Sequence, residues 1–356
     1  MLKTLILLAA GVATTLVGAE VALRALPIPN GGGAAEPSEK WPTRRLIPGN
    51  DITMSFGWDM QHVSHGKANA DGFSSPFDYK DGASVGAVIG DSYVEGLSTA
   101  EDKRLSAELA KTMGQPTDTV YNFGISGTSL PHYLGIANLI GPRYRLKWAT
   151  VIITDRDFEE GFAAQPGFYH WGKGDGADLV SYTPSKTHDA ASNVVRGTAL
   201  YRYIKLNLKF VPKSLVASGF EGENAGGGHG CPPASLSAQD RHLLGRWTDR
   251  MADALHLPAP RVALVFDSNR DRFNRPGTGA GCPTRDLLAR QWLAQDAARK
   301  GYAVVDAAPV FEKAWSRDHI PFDHWPLDRH WTSYTNKLVA ESIADALRQG
   351  GRPAGQ

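Results

Sequence analysis

From Gly82 onward the chain alternates short, continuously apolar runs with amphipathic stretches. Val85 to Ile89 reads as a buried strand ending at Gly90, followed by a helix from about Glu101 to Met113 and a second strand at Thr119-Val120-Tyr121. Residues Pro131 to Ile140 predict a helix, and Ala149 to Ile153 a third strand. Further along, Val262 to Phe266 and Tyr302 to Val305 read as strands. The helix between them opens at Thr284 and stops at Gly301, just after Arg299-Lys300. A last helix spans about Ser333 to Gln349, capped by Thr332. Apolar strands without polar alternation, separated by helices, predict a parallel sheet covered on both faces, with ligands at the carboxyl ends of the strands. Residues 39–82 are polar and irregular. Between Phe158 and Leu236 the alternation fails, which predicts an insertion or cap at about 160–236, carrying Phe168-Tyr169-His170-Trp171 and Tyr201-Arg202-Tyr203. These aromatics suit either stacking on a ligand or packing of the insertion's own core.

The N-terminus has a different pattern. Lys3 precedes an apolar run from Leu5 to Leu16, and Val17-Gly18-Ala19 has the small residues of a signal-peptidase site before the next charge, Glu20. Residues 1–26 therefore predict a signal peptide or an uncleaved signal anchor, with the remainder exported, periplasmic or tethered to the membrane. Residues 27–45, rich in Gly and Pro, predict a linker, and 46–349 the functional domain. Lys plus Arg (38) nearly cancels Asp plus Glu (37), without long single-sign runs, which argues against a nucleic-acid partner. In an oxidising compartment, the two cysteines, Cys231 and Cys282, predict a disulfide closing a loop of roughly 50 residues, worth about 4 kcal/mol on the chain-entropy model. Neither cysteine has partners at metal-ligand spacing, so no metal and no cofactor is expected.

Three short stretches carry candidate chemistry. In Val88-Ile89-Gly90-Asp91-Ser92-Tyr93 a buried strand ends in a turn that presents a serine hydroxyl at a helix start, where backbone N–H groups and the helix dipole favour a developing oxyanion. In Leu327-Asp328-Arg329-His330-Trp331 a carboxylate two residues from a histidine can hold the imidazole in one tautomer, so that His330 takes a proton from Ser92. His324 is close enough in sequence to compete for that role. In Asn122-Phe123-Gly124-Ile125-Ser126-Gly127 the glycines let backbone approach a ligand and offer an amide.

Together these stretches resemble the SGNH/GDSL hydrolase superfamily, whose fold is a flavodoxin-like three-layer α/β/α sandwich with a central parallel sheet. Gly90-Asp91-Ser92 is similar to the block carrying the nucleophile. Asn122 to Gly127 is similar to the second block, whose later glycine, here Gly127, supplies an oxyanion-hole amide beside that of Ser92. Asp328-x-His330 is similar to the last block. With Trp331 it also resembles a pattern of exported alginate-type O-acetyltransferases, which usually place it before the serine rather than after. The family's third block offers an Asn before an Asp. Here Asp157 matches the Asp, but Arg156 stands in place of the Asn, either as a replacement oxyanion donor or as an ion-pair partner of Asp155 or Asp157. The resemblance implies a serine acyl-ester hydrolase acting on an O-acyl ester of a cell-envelope carbohydrate. An O-acyltransferase using the same acyl-enzyme, or an inactive carbohydrate-binding module, are the alternatives.

Overall fold

The computed structural model describes residues 2–172, 181–182, 190–209, 234–274 and 282–350. In chain order, helix α1 (Leu2–Arg24) precedes an antiparallel hairpin, β1 (Asp51–Phe56) and β2 (Gln61–Lys67). Strand β3 (Ser84–Gly90) leads into the single turn α2 (Ser92–Glu95), then α3 (Leu105–Thr112), β4 (Val120–Gly124), α4 (Leu130–Ile140), β5 (Arg145–Ile153) and α5 (Asp157–Glu160). A minimal strand pair, β6 (Tyr169–His170) and β7 (Ser181–Tyr182), is followed by α6 (Ala190–Gly197), α7 (Ala199–Arg202) and α8 (Ala238–Ala254). Strand β8 (Val262–Phe266), α9 (Asp271–Asn274), α10 (Arg285–Arg299), β9 (Ala303–Asp306), α11 (Ala307–Asp318) and α12 (Ser333–Gly350) complete the described elements.

The central sheet is parallel throughout, in the order β4-β3-β5-β8-β9. Counting only its own strands this is 2-1-3-4-5, the flavodoxin-like order. Period-two alternation divides each strand between two cores. Val85, Ala87 and Ile89 of β3 join Ala149, Val151 and Ile153 of β5 and Val262, Leu264 and Phe266 of β8 on the face covered by α4, α8 and α10. Val88, Trp148, Ile152, Ala263 and Val265 face α3, α11 and α12. Both faces are dry, which is why the sequence shows unbroken apolar runs rather than alternation. Gly86 belongs to this packing, since a Cβ there would lie 2.2 Å from the Trp148 ring.

The strand and helix assignments from sequence hold to within a few residues. The expected helix at 101–113 is divided at Arg104, between a short turn over Glu101–Lys103 and α3. Three departures are larger. The irregular stretch 39–82 contains the β1–β2 hairpin. The expected linker lies against the domain, with Ile28 and Trp41 buried and Ala35 bridging to Arg45. In the insertion, Phe168 and Trp171 are buried against the main core, so this aromatic cluster packs rather than presenting itself to solvent. Of the expected disulfide, Cys231 lies outside the described residues.

Candidate active site

The carboxyl end of β3 delivers the first group. Gly90 permits the turn, because a Cβ there would meet Val94 Cγ2 at 2.5 Å. The Asp91 side chain accepts the Tyr93 N–H at 2.9 Å and caps α2, which begins at Ser92 and ends at the left-handed Gly96. Asn122 on β4 holds this turn in place. Its Nδ2 donates to the Val94 carbonyl at 2.8 Å while its Oδ1 accepts from Gly124 N at 2.9 Å. Gly124 has no room for a side chain, since a Cβ would sit 2.1 Å from the Glu95 amide nitrogen. Asp91 and Asn122 thus hold the serine turn onto the sheet.

The loop before α12 brings the second group. His330 Nε2 lies 2.7 Å from Ser92 Oγ, and His330 Nδ1 lies 2.8 and 2.9 Å from the two carboxylate oxygens of Asp328. Ser98 donates a further hydrogen bond, at 2.9 Å, to Asp328 Oδ2. Three residues separated by as many as 238 positions therefore form a continuous Ser–His–Asp relay. His324 takes another place. Its ring stacks on Phe56 with centroids 5.7 Å apart, and its carbonyl accepts the Asp328 N–H at 3.0 Å, so it shapes the loop.

Charge in the site follows from burial and these contacts. Burial pushes Asp328 up, but the His330 hydrogen bond and charge outweigh it and hold the carboxyl at about 2. For His330, burial works against the charged ring; the Asp328 hydrogen bond and charge, with Asp91 and Glu95 behind them, prevail and raise it above the ordinary imidazole value. Asp91 and Glu95 are themselves pushed up to about 7, chiefly by burial. Glu95 accepts a short hydrogen bond from Ser126 Oγ. The result is a histidine poised to accept a proton, beside carboxyls that bear charge reluctantly.

The remaining sequence candidates divide. Gly127 follows Ser126 in the loop after β4, with φ +79 and open space where a Cβ would stand. Asp157 is buried, accepts from Thr154 N (2.7 Å), Thr154 Oγ1 (3.0 Å) and the Tyr133 hydroxyl (3.0 Å), and is pushed well above the usual carboxylate range by burial and then by Asp91. Its contacts are those of a loop-building residue. Arg156 immediately precedes α5 without capping it through its side chain, is 61% exposed, and pairs with Glu160 at 3.3 Å rather than with Asp155 or Asp157. Asp155 pairs instead with Arg290 at 2.7 Å.

Sequence reading missed the residues that brace the site. Arg270, buried after β8, forms an ion pair with buried Asp267 and a longer contact, 3.4 Å, to Asp323. Its Nη2 donates to the Tyr93 hydroxyl at 2.9 Å and to the Arg329 carbonyl at 3.1 Å. The Trp331 indole N–H reaches Asp267 at 3.3 Å, and its ring meets Tyr93 edge-on at 5.3 Å. Only the position of Asp267, directly after an apolar strand, could have hinted at this cluster.

No family model matches the chain, and no curated protein matches it. Among solved structures it is similar to a two-domain esterase active on acetylated mannans, at 14% identity and a TM-score of 0.38, over 77% of this chain and 52% of that one. It is also similar to an α/β hydrolase enzyme from the metagenome of Lake Arreo, Spain, at 14% identity and a TM-score of 0.37, over 77% of this chain and 99% of that one. The chain thus spans about half the length of the first of these proteins.

Proposed function

We propose that the chain is a serine-dependent acyl-ester hydrolase of SGNH type, exported and held at the membrane by α1, acting on an O-acyl ester of a cell-envelope carbohydrate. The observation that carries the reading is the 2.7 Å contact between Ser92 Oγ and His330 Nε2, with Asp328 on the opposite ring nitrogen. In the proposed cycle Ser92 Oγ attacks the ester carbonyl as His330 Nε2 takes its proton, and the imidazolium is stabilised by Asp328. The amides of Ser92 and Gly127 are the proposed donors to the oxyanion. Collapse of the tetrahedral adduct expels the alcohol, which takes the proton from His330 and leaves an acyl group on Ser92. Water, deprotonated by His330, then releases the acid and restores the serine.

Export and tethering are supported by α1, which is apolar and long enough to cross a bilayer, near the N-terminus, and unburied along its hydrophobic stretch. The carbohydrate ester rests on the family resemblance. The deciding experiment is reaction of the purified chain with a fluorophosphonate probe, with Ser92→Ala beside it. Labelling confined to the parent chain supports the reading, and an unlabelled parent removes it.

A further inference from the structure

Helix α1 is joined to the domain by more than the chain that follows it. The Glu20 carboxylate, in its last turn, accepts the backbone N–H groups of Ala199 (3.1 Å) and Leu200 (2.9 Å) at the start of α7. Ser55 Oγ of β1 donates to the Pro27 carbonyl at 2.8 Å, and Asn30 exchanges backbone and side-chain hydrogen bonds with β1 at Asp51 and Thr53. The end of α1 and the start of the expected linker are thus each held to the domain.

What surrounds this junction is apolar and basic. Immediately before α7, Val194 and Val195 of α6 are 71% and 54% exposed, and Leu26, just beyond α1, is 45% exposed. Directly after α7, the Tyr203 hydroxyl donates to the carbonyl of Trp58, at the hairpin tip, whose side chain is 72% exposed. Residues 190–209 contain four basic residues, Arg196, Arg202, Lys205 and Lys209, and no acidic one. Exposed aliphatic and tryptophan side chains beside a stretch whose charged residues are all basic, at the end of an apolar helix, match the chemistry of an anionic bilayer surface. The 23 residues of α1 extend about 35 Å, enough to cross a hydrocarbon core of about 30 Å and leave Arg24 at the headgroups, with Glu20 one turn earlier at the edge of the core.

We propose that α6, α7 and the β1–β2 hairpin tip form a seat on the bilayer, so that the domain is held against the anionic lipid surface in one orientation. The inference rests on the anchor reading above. The same elements reach the catalytic loop. Lys209 donates to the Leu327 carbonyl, and the Leu327 side chain packs beside Gly57, one residue from Trp58. Leu327 is followed directly by Asp328. The seat therefore sets where the Asp328–His330 loop stands relative to the membrane.

The test uses the full chain in vesicles of phosphatidylethanolamine and phosphatidylglycerol that include a clickable photo-detectable phospholipid. A benzophenone residue is placed in turn at Leu8 in α1, at Val194 in the seat, and at Glu341 on α12 as a remote control. Strong lipid adducts at 8, with at least about tenfold more adduct at 194 than at 341, support the seat. Adducts at 8 with no excess at 194 over 341 overturn the seat and leave the anchor standing. No adduct at 8, or loss of α1 from the purified chain, overturns the anchor and the seat with it. Glu20→Ala should lower the adduct at 194 several-fold while leaving that at 8 intact; an unchanged adduct at 194 would overturn the role given to the Glu20 staple.

Discussion

Arg270 and Tyr93 are joined by a 2.9 Å hydrogen bond, and through it the residue after Ser92, the proposed nucleophile, is tied to the backbone just before His330, the proposed general base. The same guanidinium nitrogen holds the Arg329 carbonyl, and the Tyr93 hydroxyl donates to that carbonyl at 3.0 Å. Ser92 and His330 thus stand next to two residues clamped to each other, which restricts the distance between them without either of the two side chains being fully buried.

Removing the clamp should cost activity before it costs the fold. Tyr93→Phe keeps the ring contacts and deletes the hydroxyl. We expect fluorophosphonate labelling of Ser92 to slow by about tenfold to a hundredfold, as a misplacement of up to about 1 Å would cause, with a small loss of stability. Arg270→Gln should be much harsher, because it strands buried Asp267, at about 3–5 kcal/mol. Labelling rates and thermal unfolding measured on both variants check the pair. Equal labelling by Tyr93→Phe and the parent chain would remove the clamp's role.

The acid limb of the pH profile should be set by His330, which must be neutral to accept the Ser92 proton. Because its folded value is raised, kcat/KM should climb through a pKa above the ordinary imidazole value. Asp328→Asn removes the largest upward influence and leaves burial, which acts downward, so the limb should move to lower pH while turnover falls by about 10³–10⁴. A profile of kcat/KM against pH for both chains decides it; an unmoved limb would mean that another group controls it.

Glu95 offers a stability test. Its folded pKa is raised by burial to about 7, so the folded chain holds this proton more tightly than the unfolded one. Its contribution is then least unfavourable at or below the ordinary carboxylate value, and stability is lost as pH climbs from there toward about 7. Glu95→Gln can still accept from Ser126 and has no charge to bury. Denaturant titration should find the variant more stable than the parent above neutrality, on the order of 1–3 kcal/mol, and the difference should shrink toward pH 4.

Gly127→Ala addresses the proposed oxyanion donor. A Cβ there meets no atom, but φ +79 is unfavourable for alanine by about 1–2 kcal/mol. If the loop relaxes, the amide turns. Ester turnover should then drop by about 10²–10³ with binding of the ester little changed. A split between kcat and KM measured on a soluble aryl ester would show it, and a change in KM alone would place Gly127 in substrate binding.

Local pattern was enough to locate most of the sheet and its covering helices, because strands buried on both faces must be apolar throughout and helices between them must carry caps and stops. Val262 to Phe266, read from apolarity alone, is β8 without a residue's difference. The same logic placed Ser92 at a strand end and Asp328 and His330 just before a helix. Sequence could not decide whether these three meet, since nothing local encodes contact across 238 positions; the fold does so, with Tyr93 after β3 and Arg270 after β8, at the carboxyl edge of the parallel sheet, both holding the loop before α12 through the Arg329 carbonyl. It also could not identify Arg270, whose partners lie on three separate segments, or assign Arg156 to Glu160 one turn away over Asp155 and Asp157 beside it. Nor could it distinguish a linker from a stapled junction. Gly and Pro permit loose chain, but whether they remain loose depends on Ser55, Thr53 and α7, which reach residues 20–30 only once the fold has closed. Periodicity reports how each segment is solvated, while ion pairs and hydrogen bonds between distant segments exist only after packing has excluded water from between them.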